Sequence, residues 1–221
     1  MTGTWKSWTS NSDSSEVPSG TPFHEIVIPT LEFARGVKLG QTLLFARNHV
    51  LIPGPVGSGK TVCAFRLLAD GLQRDFNSLS VALSARTTPR QLADYFFSQI
   101  EKRRKGVYGP KNGKRCLLFL DDINMPAREE WGAQPPLELL RQYLDHGAWH
   151  SMRLNKEYVR IEDVVVLGAM VPPKAGRNDV SRRLVRHFNV LPFTEFEERT
   201  LQSIYEKVLG LFLARRSTEL A

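Results

Sequence analysis

A glycine-rich segment at residues 54–61 constrains the fold of this chain more than any other feature. It reads Gly-Pro-Val-Gly-Ser-Gly-Lys-Thr and matches the spacing G-x-x-x-x-G-K-[ST]. In that pattern the glycines let backbone N–H groups turn toward phosphate oxygens, and the following helix points its positive N-terminal end at the same anions. Apolar residues 49–52 precede the segment, and helical periodicity follows it. The sequence therefore predicts a strand, a phosphate-binding loop and a helix.

Every residue of this loop is a candidate for nucleotide binding. The candidates are Gly54, Pro55, Val56, Gly57, Ser58, Gly59, Lys60 and Thr61. Lys60 would supply a positive charge to the β- and γ-phosphates, and the Thr61 hydroxyl can ligate Mg²⁺. We therefore expect ATP or ADP, together with Mg²⁺, at this loop.

Another apolar strand, predicted at residues 116–122, ends in the carboxylates Asp121 and Asp122. In parallel α/β sheets, ligands lie outside the carboxyl ends of the strands, so these two side chains are expected near the phosphate loop. Asp121 is predicted to hold the Mg²⁺ shell. Asp122 is the candidate to orient or polarise an attacking water.

The remaining apolar pattern predicts an α/β fold. Three further strands are predicted at residues 79–84, 164–170 and 188–191, with helices between them. Continuous apolar runs are typical of a parallel sheet that is covered on both faces. With a phosphate loop after the first strand and an acidic pair after the third, the chain resembles the large subdomain of a P-loop AAA+ ATPase. That resemblance implies a five-stranded parallel sheet, in the order 5-1-4-3-2, with helices on both faces.

The domain organisation follows from the same pattern. Residues 1–22 are rich in Ser, Thr, Gly and Pro and are predicted to form a leading arm. Residues 23–195 form the predicted large subdomain. Residues 196–221 show helical spacing and are expected to be the first helix of an incomplete, truncated lid subdomain.

Three segments within the large subdomain have weaker patterns. Residues 23–30 are predicted to be extended, either walling an adenine base or only covering the sheet. Residues 101–113 are basic and rich in turn residues, which favours a solvated loop over a dedicated polyanion site. Residues 149–161 are predicted to form a hairpin insertion.

Composition limits the class of protein. Thirty basic residues against 23 acidic ones give a net charge of +7, which suits nucleic acid, anionic lipid or an acidic protein such as tubulin. No apolar run approaches the roughly 18 residues of a membrane span. The two cysteines form no disulfide framework, so a reducing, intracellular compartment is expected.

Longer segments resemble the third AAA+ module of axonemal dynein heavy chains. The matching segments are residues 28–30, 102–110, 119–129, 131–142 and 186–189, within a match of roughly residues 23 to 195. This resemblance implies a ring motor of six successive modules, in which the first supplies most of the ATPase and the third binds nucleotide to regulate microtubule release.

The resemblance also implies roles for residues outside the loop. Ile28, Pro29 and Thr30 would line the adenine. Spacing alone favours a solvated basic helix face formed by Arg182, Arg183 and Arg186. The resemblance favours Arg186 as the arginine finger that reaches the nucleotide of a neighbouring module.

Two residues depart from the pattern of actively hydrolysing AAA+ sites. Asp122 stands where glutamate is usual, so its carboxylate is one methylene shorter. Val171, at the tip of the fourth strand, stands where a polar sensor is usual and cannot donate a hydrogen bond. Each loss is worth roughly a hundredfold in rate, so we expect tight ATP or ADP binding with little turnover.

The resemblance implies partners and a location as well. Neighbouring AAA+ modules of the same heavy chain are expected, with intermediate chains, light chains and microtubules bound through the full-length motor in the cytoskeleton of cilia and flagella. Membranes are not expected, and nucleic acid is disfavoured. The alternatives are an AAA+ remodelling or nucleic-acid-loading ATPase, and a non-hydrolysing scaffold copy.

Overall fold

The computed structural model describes residues 21–69, 76–150, 157–173 and 176–219. In chain order, its helices and strands are α1 (Leu31–Phe45), β1 (His49–Pro53), α2 (Lys60–Ala69), β2 (Phe76–Ala82), α3 (Pro89–Gln99), β3 (Ile100–Arg104), β4 (Val107–Pro110), β5 (Arg115–Asp121), α4 (Pro135–His146), β6 (Ala148–His150), β7 (Tyr158–Ile161), β8 (Val164–Met170), α5 (Arg182–Val185), β9 (Phe188–Val190) and α6 (Glu198–Glu219). Residues 1–20 of the predicted leading arm, including both of its tryptophans, lie outside the described residues.

The central sheet has five parallel strands in the order β9-β1-β8-β5-β2. Counted among these five strands alone, this is the predicted order 5-1-4-3-2. The register sets Val50 of β1 opposite Leu167 of β8, and Leu118 of β5 opposite Val166 of β8. The prediction of a parallel AAA+-type sheet is therefore confirmed.

Helices cover both faces of this sheet, because its central strands are apolar on both sides. Leu117 and Phe119 of β5 join a buried cluster that includes residues of α1 and α2. Leu118 and Leu120, which alternate with them, join a larger cluster that includes residues of α3, α4 and α5. The predicted three-layer arrangement is thus observed.

The segment before α1 differs from its prediction. Phe23–Glu25 forms a 3₁₀ turn, and the chain has no regular structure from there to Thr30, so the extended segment predicted at 23–30 is wrong in part. The Thr30 side chain accepts a hydrogen bond from the Phe33 amide and caps α1. This cap fixes where the irregular segment ends.

A second sheet, absent from the predictions, has the order β3-β4-β7-β6. β3 and β4 form an antiparallel hairpin, so the solvated loop predicted at 101–113 is wrong. The sequence pattern did not indicate β3, because its side chains are charged and exposed. Two of them pair with acidic residues that follow β7: Arg103 with Asp163 at 2.6 Å and Arg104 with Glu162 at 3.0 Å. The hairpin predicted at 149–161 is confirmed by the antiparallel pairing of β6 and β7, and β4 joins β7 in parallel.

The last helix, α6, carries several exposed apolar side chains, among them Tyr205, Leu209 and Leu213. This helix, at Glu198–Glu219, is the one predicted for the end of the chain. Among the described residues, no helix combines the length and the apolar character needed to cross a bilayer.

His49, at the start of β1, makes stability depend on pH. Its Nδ1 atom accepts a hydrogen bond from the Val166 amide at 3.0 Å. Burial, and secondarily the charge of His187, lowers the pKa of His49 from 6.5 to about 4. Between pH 4 and pH 6.5, the unfolded chain therefore binds a proton at this histidine, whereas the folded chain does not.

We expect the free energy of unfolding to fall as pH is lowered from 6.5 toward 4, by on the order of 3 kcal/mol from this residue. The measurement is urea unfolding across this pH range. In His49→Asn, an amide oxygen can replace the Nδ1 acceptor but does not titrate, so this part of the pH dependence should disappear. An unchanged pH profile in the variant would contradict the assignment.

Candidate functional site

The phosphate loop connects the end of β1 to the start of α2 at Lys60. Its glycines are required by geometry. Gly57 and Gly59 have φ values of 79° and 83°, a region that other residues rarely adopt. A Cβ atom at Gly54 would lie 2.6 Å from the Phe193 carbonyl oxygen. Because the first turn of α2 contains no acidic residue, its positive end is left available for an anion.

Lys60 is buried within this loop, with 8% of its surface exposed. Its Nζ donates to the Pro55 carbonyl at 2.5 Å and to Ser58 Oγ at 3.5 Å. Burial lowers the pKa of Lys60, while the nearby carboxylates of Asp121 and Asp122 act in the opposite direction. The ammonium is thus confined between the loop and the acidic end of β5.

The structure brings the loop and the acidic strand end together. Thr61 Oγ1 donates to Asp121 Oδ2 at 3.4 Å. A hydroxyl beside a carboxylate suits Mg²⁺, which in nucleotide sites takes one or two protein ligands and completes its shell with phosphates and water. The described residues contain no cluster of three or more His, Cys, Asp or Glu side chains that could cage a metal ion by themselves. The residues present therefore fit a magnesium ion that arrives with a nucleotide.

Asp122 lies in an unusual backbone conformation, with a φ of 55°. Its amide donates to Asp121 Oδ1 at 3.0 Å. Its Oδ2 atom lies 3.3 Å from Nη1 of Arg177, which follows β8. Non-glycine residues in this conformation concentrate at functional sites.

Arg177 was missed by the sequence predictions. The available signal was a basic residue in the loop after a buried parallel strand, at the edge of the sheet where ligands bind. Val171, which begins this loop, offers only its carbonyl oxygen, which accepts from Asn124 Nδ2 at 2.6 Å.

The predicted adenine segment lines a cleft of about 230 Å³. Ile28, Pro29 and Thr30 form one side. The other side comes from α6, whose contribution the sequence predictions also missed: Arg199, Thr200, Ser203, Ile204 and Lys207. Phe196, just before α6, lies close enough to Gly59 that a Cβ atom there would be 3.6 Å from its ring. The segment leading into α6 therefore contacts the phosphate loop.

Arg186 is not brought to the phosphate loop of its own chain. Its Nη2 atom donates to Asp145 Oδ1 at 2.5 Å, and His187 Nε2 lies 2.7 Å from the same oxygen. Arg141 donates to the other oxygen of Asp145. The hydrogen bond from Arg186 is the largest cause that lowers the pKa of Asp145 to about 2; burial opposes it, and the bonds from His187 and Arg141 add to it. Arg186 is still 62% exposed, and its role toward a neighbouring module stays a prediction.

Comparison with solved structures supports the fold alone. A RuvB mutant from Thermotoga maritima superposes with a TM-score of 0.56 at 19% identity, covering 86% of this chain and 54% of that one.

Comparison with known sequences gives a more specific result. The chain is 40% identical over 209 residues to dynein axonemal heavy chain 1 from Homo sapiens, and 37% identical over 211 residues to dynein axonemal heavy chain 3 from the same organism. These matches cover 95% and 94% of this chain but 5% of each relative, so the chain spans about a twentieth of the proteins it matches. A family model described as the P-loop containing dynein motor region matches residues 15–196. The phosphate loop lies at the carboxyl edge of the parallel sheet, and the family model matches most of the chain. The chain therefore belongs to the P-loop dynein motor region family.

Proposed function

We propose that this chain is an ATP-binding AAA+ module of an axonemal dynein heavy chain, the third in the series. In that role it contributes to or regulates ATP-driven, minus-end-directed microtubule movement in cilia and flagella. The observation that carries the proposal is the contact of Thr61 with Asp121, which joins the phosphate loop to the acidic end of β5.

The parts of the site have distinct roles. Residues 54–59 hold the phosphates through their backbone amides, and Lys60 neutralises phosphate charge. Thr61 and Asp121 hold Mg²⁺, which would neutralise charge between phosphate oxygens. The cleft between residues 28–30 and α6 would take the adenine base, because Ile28 and Ile204 give the cleft an apolar residue on each of its sides.

Slow hydrolysis is part of the proposal. Asp122 has a side chain one methylene shorter than the usual glutamate, so its carboxylate is expected to lie too far back to activate a water well. Val171 adds no donor. A lost general base and a lost polar donor each reduce the rate by about a hundredfold, which suits a regulatory site rather than a fast ATPase.

Arg186 would act on the nucleotide of a neighbouring module, because it is exposed and sits apart from the loop contacts of its own chain. Its hydrogen bond to Asp145 fixes the guanidinium at the C-terminal end of α4. The names of the relatives support an axonemal location. Intermediate chains, light chains and microtubules would bind through the full-length motor.

The test is an equilibrium titration of the chain with fluorescent analogues of ATP and ADP, beside a phosphate-release assay. We expect micromolar or tighter dissociation constants for both nucleotides and a phosphate-release rate well below the median enzyme turnover of about 10 s⁻¹. Failure of the intact, folded chain to bind either nucleotide at millimolar concentration would refute the proposal.

Thr61→Ala should selectively remove the contribution of magnesium. In the parent chain we expect ATP to bind more tightly with Mg²⁺ than with EDTA. In the variant that ratio should fall by about tenfold, because one ligand of the ion is lost.

The matched control is Thr42→Ala, which removes an exposed hydroxyl that donates to the Lys38 carbonyl within α1. It should leave the ratio unchanged. A Thr61→Ala chain that keeps the full magnesium effect would show that this hydroxyl is not a ligand.

A further inference from the structure

We propose that Arg177 distinguishes a nucleoside triphosphate from a diphosphate, by leaving Asp122 and binding the γ-phosphate. This inference rests on the proposed function, since it concerns the same nucleotide site. It adds a residue that neither the phosphate-loop pattern nor the acidic pair on β5 points to.

The first support is an incomplete interaction. Nη1 of Arg177 lies 3.3 Å from Asp122 Oδ2, yet this buried nitrogen forms no hydrogen bond with any described residue. The charges attract, but the donor is not aligned with its acceptor. Because a buried donor without an acceptor is costly, a better-placed anion would be preferred.

The second support is position. Arg177 and Asp122 both follow strands of the central sheet, β8 and β5, at the edge where the phosphate loop lies. Charge effects agree with this position: Asp121 and Asp122 raise the pKa of Lys60, whereas Arg177 lowers it. Two cations and two carboxylates therefore share one small region.

The third support is that the chain after Arg177 is anchored to the extension of β5. The Asn178 amide donates to the Asn124 carbonyl at 3.1 Å, and Asn178 Nδ2 donates to the Pro126 carbonyl at 2.9 Å. Asn124 is fully buried and bonds the Val171 carbonyl at the start of the same loop. These bonds hold the backbone of Arg177 beside Asp122, so a change of partner needs only a side-chain rotation.

The chemistry favours the exchange. A γ-phosphate carries more negative charge than one carboxylate and presents several oxygens to the planar guanidinium. A diphosphate has no group at this position.

The experiment measures dissociation constants for fluorescent ATP and ADP analogues in Arg177→Gln. We expect ATP affinity to fall by about tenfold or more, as for loss of a charge-assisted hydrogen bond, and ADP affinity to change by less than about threefold. Arg160→Gln is the matched control, because this exposed arginine of β7 pairs with Glu162 beside the second sheet. Its ratio of ATP to ADP affinity should equal that of the parent chain.

A second variant keeps the test valid if Arg177→Gln does not fold. Asp122→Asn removes the charge that competes for Arg177, so the preference for ATP over ADP should increase. Because loss of a carboxylate near the γ-phosphate also favours ATP by itself, the increase is attributed to Arg177 only if it disappears in the double variant Asp122→Asn/Arg177→Gln. An unchanged ratio in Arg177→Gln, or an unchanged or lower preference in Asp122→Asn, overturns the inference.

The two failures can be told apart. If the parent chain binds neither nucleotide, the proposed function fails and this inference fails with it. If the parent chain binds both and loses both in a Lys60 variant, while Arg177→Gln keeps the parent ratio, only the role of Arg177 is refuted.

Discussion

Lys60→Ala is expected to weaken ATP and ADP binding by at least about a hundredfold. The Lys60 ammonium is buried, held by the Pro55 carbonyl, and adjacent to the acidic end of β5. Its removal leaves phosphate oxygens without their nearest cation in a region of low dielectric, where such contacts are strongest. Fluorescence titration of the variant beside the parent chain measures the loss.

The fold should survive this change. The alanine variant loses a hydrogen bond but also removes a buried charge, and the two effects oppose each other. We therefore expect a small shift of the unfolding midpoint without nucleotide. Lys38→Ala removes an exposed lysine of α1 and should leave binding intact. If a folded Lys60→Ala chain bound nucleotide as tightly as the parent chain, the assignment of residues 54–61 as the nucleotide site would be refuted.

Trp149→Ala is expected to cost about 3 to 5 kcal/mol of unfolding free energy, the range for truncating a large aromatic residue in a core. Trp149 of β6 is fully buried. Its ring lies edge-on to Phe96 at 4.7 Å between centroids and also contacts Phe97 and Tyr143. The second sheet is thereby packed against α3 and α4, so the cavity would open between this sheet and the two helices.

Trp149→Phe is the matched variant. The indole Nε1 has no hydrogen-bond partner among the described residues, so the phenylalanine variant loses volume but no bond. Its loss of unfolding free energy, measured by urea unfolding, should be well under half that of the alanine variant. A loss below about 1 kcal/mol for Trp149→Ala would show that the second sheet contributes little to the cooperative unit.

The features that were predictable are those set by local pattern. The sequence 54–61 determines a loop that only glycines can form, and the apolar run of β5 requires a strand covered on both faces. Thr88 and Gln91, three residues apart, form a reciprocal cap at the start of α3. In each case the residues that determine the structure are neighbours along the chain.

The features that were missed depend on distant contacts. β3 carries charged residues without apolar alternation, and its sheet is completed by the pairing of β4 with β7 far along the chain. Arg177 reaches Asp122 because Asn178 is bonded to the backbone of residues 124 and 126. The partner of Arg186, Asp145, lies on a different helix. No spacing rule connects these residues, so only the folded chain reveals them.

Because residues 193–196 contact the phosphate loop, a movement of the loop would be expected to tilt α6. The loop lies directly against Phe193 and Phe196, and the helix begins two residues later. With 22 residues, α6 is about 33 Å long, so a tilt of about 5° at its start would displace its far end by about 3 Å. A sub-ångström adjustment of the loop around phosphate would therefore move the far end of α6 by a distance to which a protein in contact with that end could respond.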